Sequence, residues 1–333
     1  MNSPASSSIL SLAQLLAGNS TPPACLIEPG VLPHQGILFV GGEPKVGKSL
    51  LVANLALALA AGRSRCGFDI PLARRVLICQ FELPTPQLAL RLSQMRQPLG
   101  ALSDDHLFVD TRSTGHLLST ASGMNHFLLA ARTIQAEVIV LDPLYSAHDQ
   151  DENDTRAMAA LCQSLLRLRE ASHAALIVVH HVRKSVARHE IGSAFRGSSA
   201  LHAVGDSYLL LTRPSCQNST LELRFQFRYT PPLEPRLLTL DPRSLWFAAT
   251  GSSSLAPAPR HKVQLDDVQQ ALATMGHSAA FNALRDALMQ QTSCSKRTAQ
   301  LAIARASQQG LLERHNGQYR WLKILQPLAG QSL

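Results

Sequence analysis

Aromatic residues are scarce in this chain, at 5% of 333 residues, and only two are tryptophan. The core must therefore come from smaller apolar side chains. Hydrophobic residues still reach 45%, enough for one large or two modest domains. No apolar run approaches the ~20 residues of a membrane span, so no membrane partner is expected. Met1 to Ser8 lacks the charged start and apolar centre of a signal peptide, and the expectation is a cytoplasmic protein. None of Cys25, Cys66, Cys79, Cys162, Cys216 and Cys294 forms a C-x-x-C pair. That argues against a zinc site or a disulfide frame and for reduced structural thiols. Internal repeats and long low-complexity tracts are also missing. Acidic residues are in deficit, 23 against 31 Lys and Arg, for a net charge of +8. The balance suits a polyanionic partner such as nucleic acid, although an ordinary basic enzyme would share it.

What the chain does have is Gly42-Glu43-Pro44-Lys45-Val46-Gly47-Lys48-Ser49, which matches the phosphate-binding pattern G-x-x-x-x-G-K-[ST]. Ile37 to Val40 before it reads as a short buried strand, and Leu50 to Ala61 after it as a buried helix. Such a turn presents successive backbone N–H groups to an anion at a helix N-terminus. Residues 42–49 and Leu50 are expected to hold ATP. Lys48 would reach the β- and γ-phosphates, and Ser49 would ligate Mg²⁺.

Four regions are expected: an arm over 1–30 with a short helix at Ile9 to Leu16, an ATPase domain over 31–250, a linker over 251–264 and a small domain over 265–325. Within the ATPase domain, apolar runs starting at Val76, Leu107, Val138, Ala174, Tyr208 and Leu221 read as strands, and Leu88 to Met95, Met124 to Ile134 and Arg156 to Ala171 as helices. Pro84 and Pro86 are expected to interrupt the chain. The alternation predicts an α/β fold with a mostly parallel sheet, whose chemistry collects where strands end. Glu82, Asp142 and His181 stand at such ends.

GSSSLAPAP, from Gly251, is linker-like in composition. Beyond it, Val268 to Met275, Phe281 to Met289 and Lys296 to Gln308 read as helices, the last with Leu301 and Ile303 inward. Leu311 to Leu322 reads as a hairpin turned at Asn316-Gly317. Three helices and a hairpin make the plan of a winged helix. Residues 260–333 carry nine Lys/Arg against four Asp/Glu. A recognition helix would present Lys296, Arg297 and Arg305 to duplex DNA, unless the module docks protein instead.

ATP hydrolysis needs a phosphate cradle, a metal, a carboxylate that activates water, and positive charge. Asp142 suits the metal, held through water. Glu82 suits water activation, or else it is a helix-capping or loop acid. His180 and His181 cannot share a metal, because neighbours on a strand point to opposite faces. Either is a structural histidine or a γ-phosphate sensor. The basic, glycine-bearing stretch Val182 to Ser199 offers Arg183, Lys184, Arg188 and Arg196 to nucleic-acid phosphates, or is a solvated loop.

GGEPKVGKS, QFELP, VLDPLYSAHDQDEND, VVHHVRKS and RGSSAL occur in that order. Over roughly residues 20–245 the set resembles the RecA-like ATPases of the RepA group, hexameric replicative helicases of broad-host-range plasmids. The resemblance implies a RecA-like core, ATP with Mg²⁺, and a six-membered ring with active sites between subunits. It implies Glu82 as the catalytic carboxylate, Asp142 as the acid of the second nucleotide motif and His181 as the γ-phosphate sensor. Arg228 would be a finger acting on the neighbouring subunit, although Gln226 stands where a basic residue is often found. The loop over 182–197 would line the channel for single-stranded DNA. The linker and the added small domain depart from that plan, and leave room for a nucleotide-switched DNA-binding regulator or loader that does not translocate.

Overall fold

The computed structural model describes residues 11–18, 24–100, 105–152, 154–182, 191, 195, 199–213, 220–252, 263, 265–292, 294–315 and 317–322. The chain divides into two units, Met1–Ser254 and Leu255–Leu333.

Among its described residues, the larger unit holds a helix α1 (Leu12–Gly18) and one nine-stranded sheet. The first six strands in space are β3 (Leu107–Asp110), β2 (Val76–Gln80), β4 (Val138–Asp142), β5 (Ala175–His181), β1 (Ile37–Gly42) and β6 (Ser207–Thr212), all parallel. Three antiparallel strands extend it: β7 (Thr220–Phe227), β8 (Arg236–Leu240) and β9 (Phe247–Ser252). The α/β expectation with a mostly parallel sheet holds.

Alternate side chains explain the layers. Leu38, Val40, Val76, Ile78, Val138, Val140, Ile177 and Val179 pack on one face with α2 (Lys48–Ala61). Ile37, Phe39, Leu77, Cys79, Ile139, Leu141, Leu176 and Val178 pack on the other with α4 (Ala121–Ile134) and α5 (Thr155–Ser172). Period-two alternation with both phases apolar is what a sheet covered on both faces requires. α3 (Thr85–Arg96) starts immediately after Pro84, with Pro86 in its first turn. The two prolines therefore open a helix and do not interrupt one. Their missing N–H groups fall where a helix has no partner for them.

α2 is buried nearly all round. Its one buried polar side chain beyond the first turn, Asn54, is completely enclosed. Asn54 Nδ2 donates to the Leu245 carbonyl at 3.0 Å, and its Oδ1 accepts from Phe247 N at 2.9 Å. The β8–β9 turn is thereby fixed to the helix that follows the phosphate loop. Removing this amide strands a buried donor, Phe247 N, and a part-buried acceptor, the Leu245 carbonyl. Asn54→Ala is expected to lower stability by roughly 2–4 kcal/mol, read as a lower urea midpoint at unchanged slope.

The linker expectation is shifted at its start, because Gly251 and Ser252 belong to β9 and pair with Leu237 and Arg236. The smaller unit contains α7 (Leu265–Thr274), α8 (Phe281–Thr292) and α9 (Lys296–Gln308), numbered after a short α6 (Ser199–Val204) in the larger unit. Its three-stranded sheet is ordered β10 (Ser278–Ala280), β12 (Gln318–Trp321), β11 (Leu312–His315). This is a small α+β domain of winged-helix-like plan. Ser295 caps α9 by accepting from Thr298 N. The expectation that Leu301 points inward is wrong: Leu301 is 62% exposed, and the inner face of α9 is Ala299, Ala302, Ile303 and Ala306. Residues two apart on a helix do not share a face, so with Ile303 turned inward Leu301 is left outside. Among the described residues no helix is long and apolar enough to cross a membrane.

Candidate nucleotide site

β1 ends at Gly42, level with His181 of β5 and Leu211 of β6. A Cβ on Gly42 would sit 2.5 Å from the Leu211 carbonyl oxygen, so only glycine lets the strand finish there. Gly47, at φ +113°, then turns the chain into α2. The first turn of α2 carries no acidic residue, which keeps its N-terminus attractive to an anion.

Lys48 is almost fully buried, at 4% exposure. Its Nζ donates to the carbonyls of Gly42 and Glu43, each at 2.9 Å, and lies 3.0 Å from His181 Nδ1. An ammonium only donates, so the proton of a neutral His181 ring lies on Nε2. Burial lowers the Lys48 pKa to about 8, although Asp142 and Glu82 oppose the shift. Burial first, and then the Lys48 charge, also lower His181, while Glu82 opposes them. His180 faces the other way, stacked on Phe195 at 6.2 Å, and burial pushes it down to about 4. The two histidines do lie on opposite faces.

Ser49 Oγ donates to Asp142 Oδ1 at 2.9 Å. Asp142 is 5% exposed, and burial raises its pKa to about 6, with Glu82 adding to the rise while Ser49, Lys48 and Gln80 oppose it. A hydroxyl and a carboxylate side by side at a helix N-terminus form an oxygen donor set that fits a hard cation such as Mg²⁺. The glycine turn, the buried ammonium and the unopposed helix start fit a triphosphate.

Glu82 stands two residues beyond the end of β2. Its carboxylate accepts a hydrogen bond from Tyr145 Oη. The Tyr145 ring lies 5.3 Å from that of His181. Pro44, Lys45, Gly47, Lys48, Ser49, Leu50, Gln80, Glu82, Leu83, Arg91, Tyr145 and His181 together line one cleft of about 590 Å³. Asp142 lies directly beneath it through Ser49.

Arg228 is elsewhere. It follows β7, whose Phe227 pairs with Ser207 at the start of β6. That is the opposite end of the sheet from the phosphate loop. Its guanidinium donates to the Ala203 carbonyl at 2.5 Å and lies 3.4 Å from the Asp206 carboxylate. Lys296, Arg297 and Arg305 are exposed on α9. Arg183, Lys184, Arg188 and Arg196 lie outside the described residues, as does Cys216.

Three cleft residues escaped sequence reasoning. Arg91 is a cation with no ion-pair partner among the described residues. Its signal was available: it sits between Leu88 and Met95 at helical spacing, on the face the pattern reserves for burial. Tyr145 lies in the turn Leu144–Ala147 just after Asp142, and Gln80 is a buried amide at the end of an apolar strand. Neither belongs to a spacing pattern.

The model of a family described as an AAA domain matches residues 4–187, more than half of the chain. No curated protein sequence matches it. Among solved structures, an isolated ATPase domain superposes with a TM-score of 0.51 at 14% identity, over 65% of this chain and 84% of that one. A DnaB-like replicative helicase, described with its interactions with primase, superposes with a TM-score of 0.53 at 12% identity. That match covers 71% of this chain, which spans 64% of the helicase's length. At these identities the likeness is one of fold. With the phosphate loop built as described, the chain belongs to the AAA domain family, as a RecA-like P-loop ATPase that binds ATP.

Proposed function

We propose that the chain hydrolyses ATP as a DNA-acting ring ATPase of the RepA type, serving replication of a plasmid, phage or other mobile element. The observation that carries the reading is the convergence of Lys48, Ser49, Glu82 and His181 on one cleft, with Asp142 beneath Ser49. In this reading the backbone of 42–50 cradles the phosphates, and Lys48 turns its ammonium from the Gly42 and Glu43 carbonyls to the β- and γ-oxygens. Ser49 and, through water, Asp142 would hold Mg²⁺, which supplies charge neutralisation on the phosphates. Glu82 orients the attacking water and takes its proton. His181 reads the γ-phosphate, and Arg91 adds positive charge from α3. Arg228 stands too far from its own phosphate loop to act there, and in the proposed ring, a hexamer, it serves the neighbouring site. DNA would pass through the channel along 182–197, where Arg183, Lys184, Arg188 and Arg196 stand. Lys296, Arg297 and Arg305 would meet duplex DNA.

The test is unwinding of a forked duplex with ATP and Mg²⁺, beside Lys48→Ala. Unwinding by the wild type and none by the variant is expected. A competent ATPase that neither unwinds nor responds to DNA sinks the helicase reading. The smaller unit favours a second one, a nucleotide-switched regulator or loader. On that reading deletion of residues 260–333 abolishes sequence-preferring duplex binding, and unchanged affinity excludes it.

A further inference from the structure

We propose that Gln80 is a positioning residue for ATP hydrolysis, because its one amide group fixes the main chain at Glu82 and the carboxylate of Asp142 at the same time. Gln80 Oε1 accepts from Glu82 N at 2.7 Å and from Leu83 N at 3.2 Å. Its Nε2 donates to Asp142 Oδ2 at 3.2 Å. The orientation of the amide is not arbitrary. Backbone N–H groups only donate, so the oxygen must face them and the nitrogen must face the carboxylate.

The surroundings explain why an amide is needed. Gln80 ends β2 and pairs with Asp142 at the end of β4. The chain then leaves the sheet: Phe81 N makes one more bond, to the Asp142 carbonyl at 3.1 Å, and the next two N–H groups have only the Gln80 side chain. Asp142 divides its carboxylate between Ser49 on Oδ1 and Gln80 on Oδ2. Asp142 and Glu82 repel each other as like charges. A neutral side chain that donates to one and holds the backbone of the other sets their separation without adding a third charge. Leucine would fill the space and supply none of the three bonds. Glutamate would keep the acceptor and place another carboxylate against Asp142.

The inference rests on Glu82 and Asp142 having the roles proposed above, so its test carries Glu82→Gln as a control. The full chain is compared as wild type, Gln80→Leu and Gln80→Met. Thermal unfolding, binding of a fluorescent ATP analogue with Mg²⁺, and steady-state ATP turnover across a Mg²⁺ titration are measured. Turnover is expected to fall about 10- to 100-fold in both Gln80 variants, the range for losing a group that orients a metal-site ligand. Analogue affinity should stay within about threefold, because a group that acts on the reaction step lowers kcat and spares ground-state binding. The Mg²⁺ concentration giving half-maximal turnover should rise. Wild-type kcat in either variant overturns the inference. So does a loss of analogue binding as large as the loss of kcat, or failure of both variants to fold, since either makes Gln80 a structural residue only. If Glu82→Gln itself turns over normally, the assignment of Glu82 fails, whatever the Gln80 variants do.

Discussion

Glu82→Gln is expected to bind ATP as the wild type does and to hydrolyse it at least about 100-fold more slowly, within the range for loss of a positioned general base. The substitution keeps length and shape, and the amide oxygen can still accept from Tyr145 Oη. What it removes is the ability to take a proton from water. Lys48, Ser49 and the loop backbone, which would hold the phosphates, are not touched by Glu82 side-chain bonds. The measurement is a pair: equilibrium binding of an ATP analogue and single-turnover hydrolysis. Normal hydrolysis would return Glu82 to a loop acid that happens to meet Tyr145. A parallel fall in binding would mean that the carboxylate shapes the cleft and does not activate water.

Arg228→Ala and Lys48→Ala are each expected to be nearly inactive alone and to recover part of the activity when mixed. An arginine supplied to a neighbour's phosphate contributes about 10³- to 10⁵-fold in related chemistry, so the expected loss is large. A mixed ring contains some interfaces with an intact phosphate loop on one side and an intact Arg228 on the other. Those interfaces should turn over, and activity should rise and fall with the mixing ratio. Arg228 also faces Asp206, which is 3% exposed and accepts from Ile37 N and Tyr229 Oη, so some loss of stability accompanies the substitution. Unfolding of the single variant must therefore be followed separately. Absence of recovery at every ratio, with both variants folded, removes Arg228 from the site and leaves it as the partner of Asp206.

The strands that carry the cleft were legible because they are buried on both faces and read as unbroken apolar runs. β2, β4 and β5 each end at or near a residue with chemistry, and the phosphate loop announces itself by spacing. β8 and β9 were not legible. RLLTL and FAATGS are short, half polar, and paired outside the parallel core, where neighbouring strands, the Asn54 amide and the burial of Leu238 and Phe247 against other elements define them. Leu301 was misplaced because hydrophobicity alone predicted the inner face of α9, whereas helical spacing gives that face to Ile303 with Ala299, Ala302 and Ala306. In and beneath the cleft, the residues found were those of the phosphate loop, by spacing, and Glu82, Asp142 and His181, where apolar strands end. Gln80 and Tyr145 meet other side chains across elements, and nothing in the order of letters encodes those meetings, whereas Arg91 stood at helical spacing between Leu88 and Met95.

If Arg228 serves a neighbouring copy, as proposed, its separation from the phosphate loop constrains assembly. β1 and β6 are six residues long, so the two lie about 20 Å apart along the strands, on opposite ends of one sheet. A twofold dimer would have to place both ends in a single self-complementary patch. A head-to-tail contact needs only one end from each copy, and it leaves an unused end on either side. Such a contact repeats until rotation closes it. In a closed ring every copy gives one end and receives the other, and no composite site is left half built. In an open chain the two terminal copies each carry an incomplete one. Activity per subunit would then depend on closure itself, and would rise with concentration in step with ring formation.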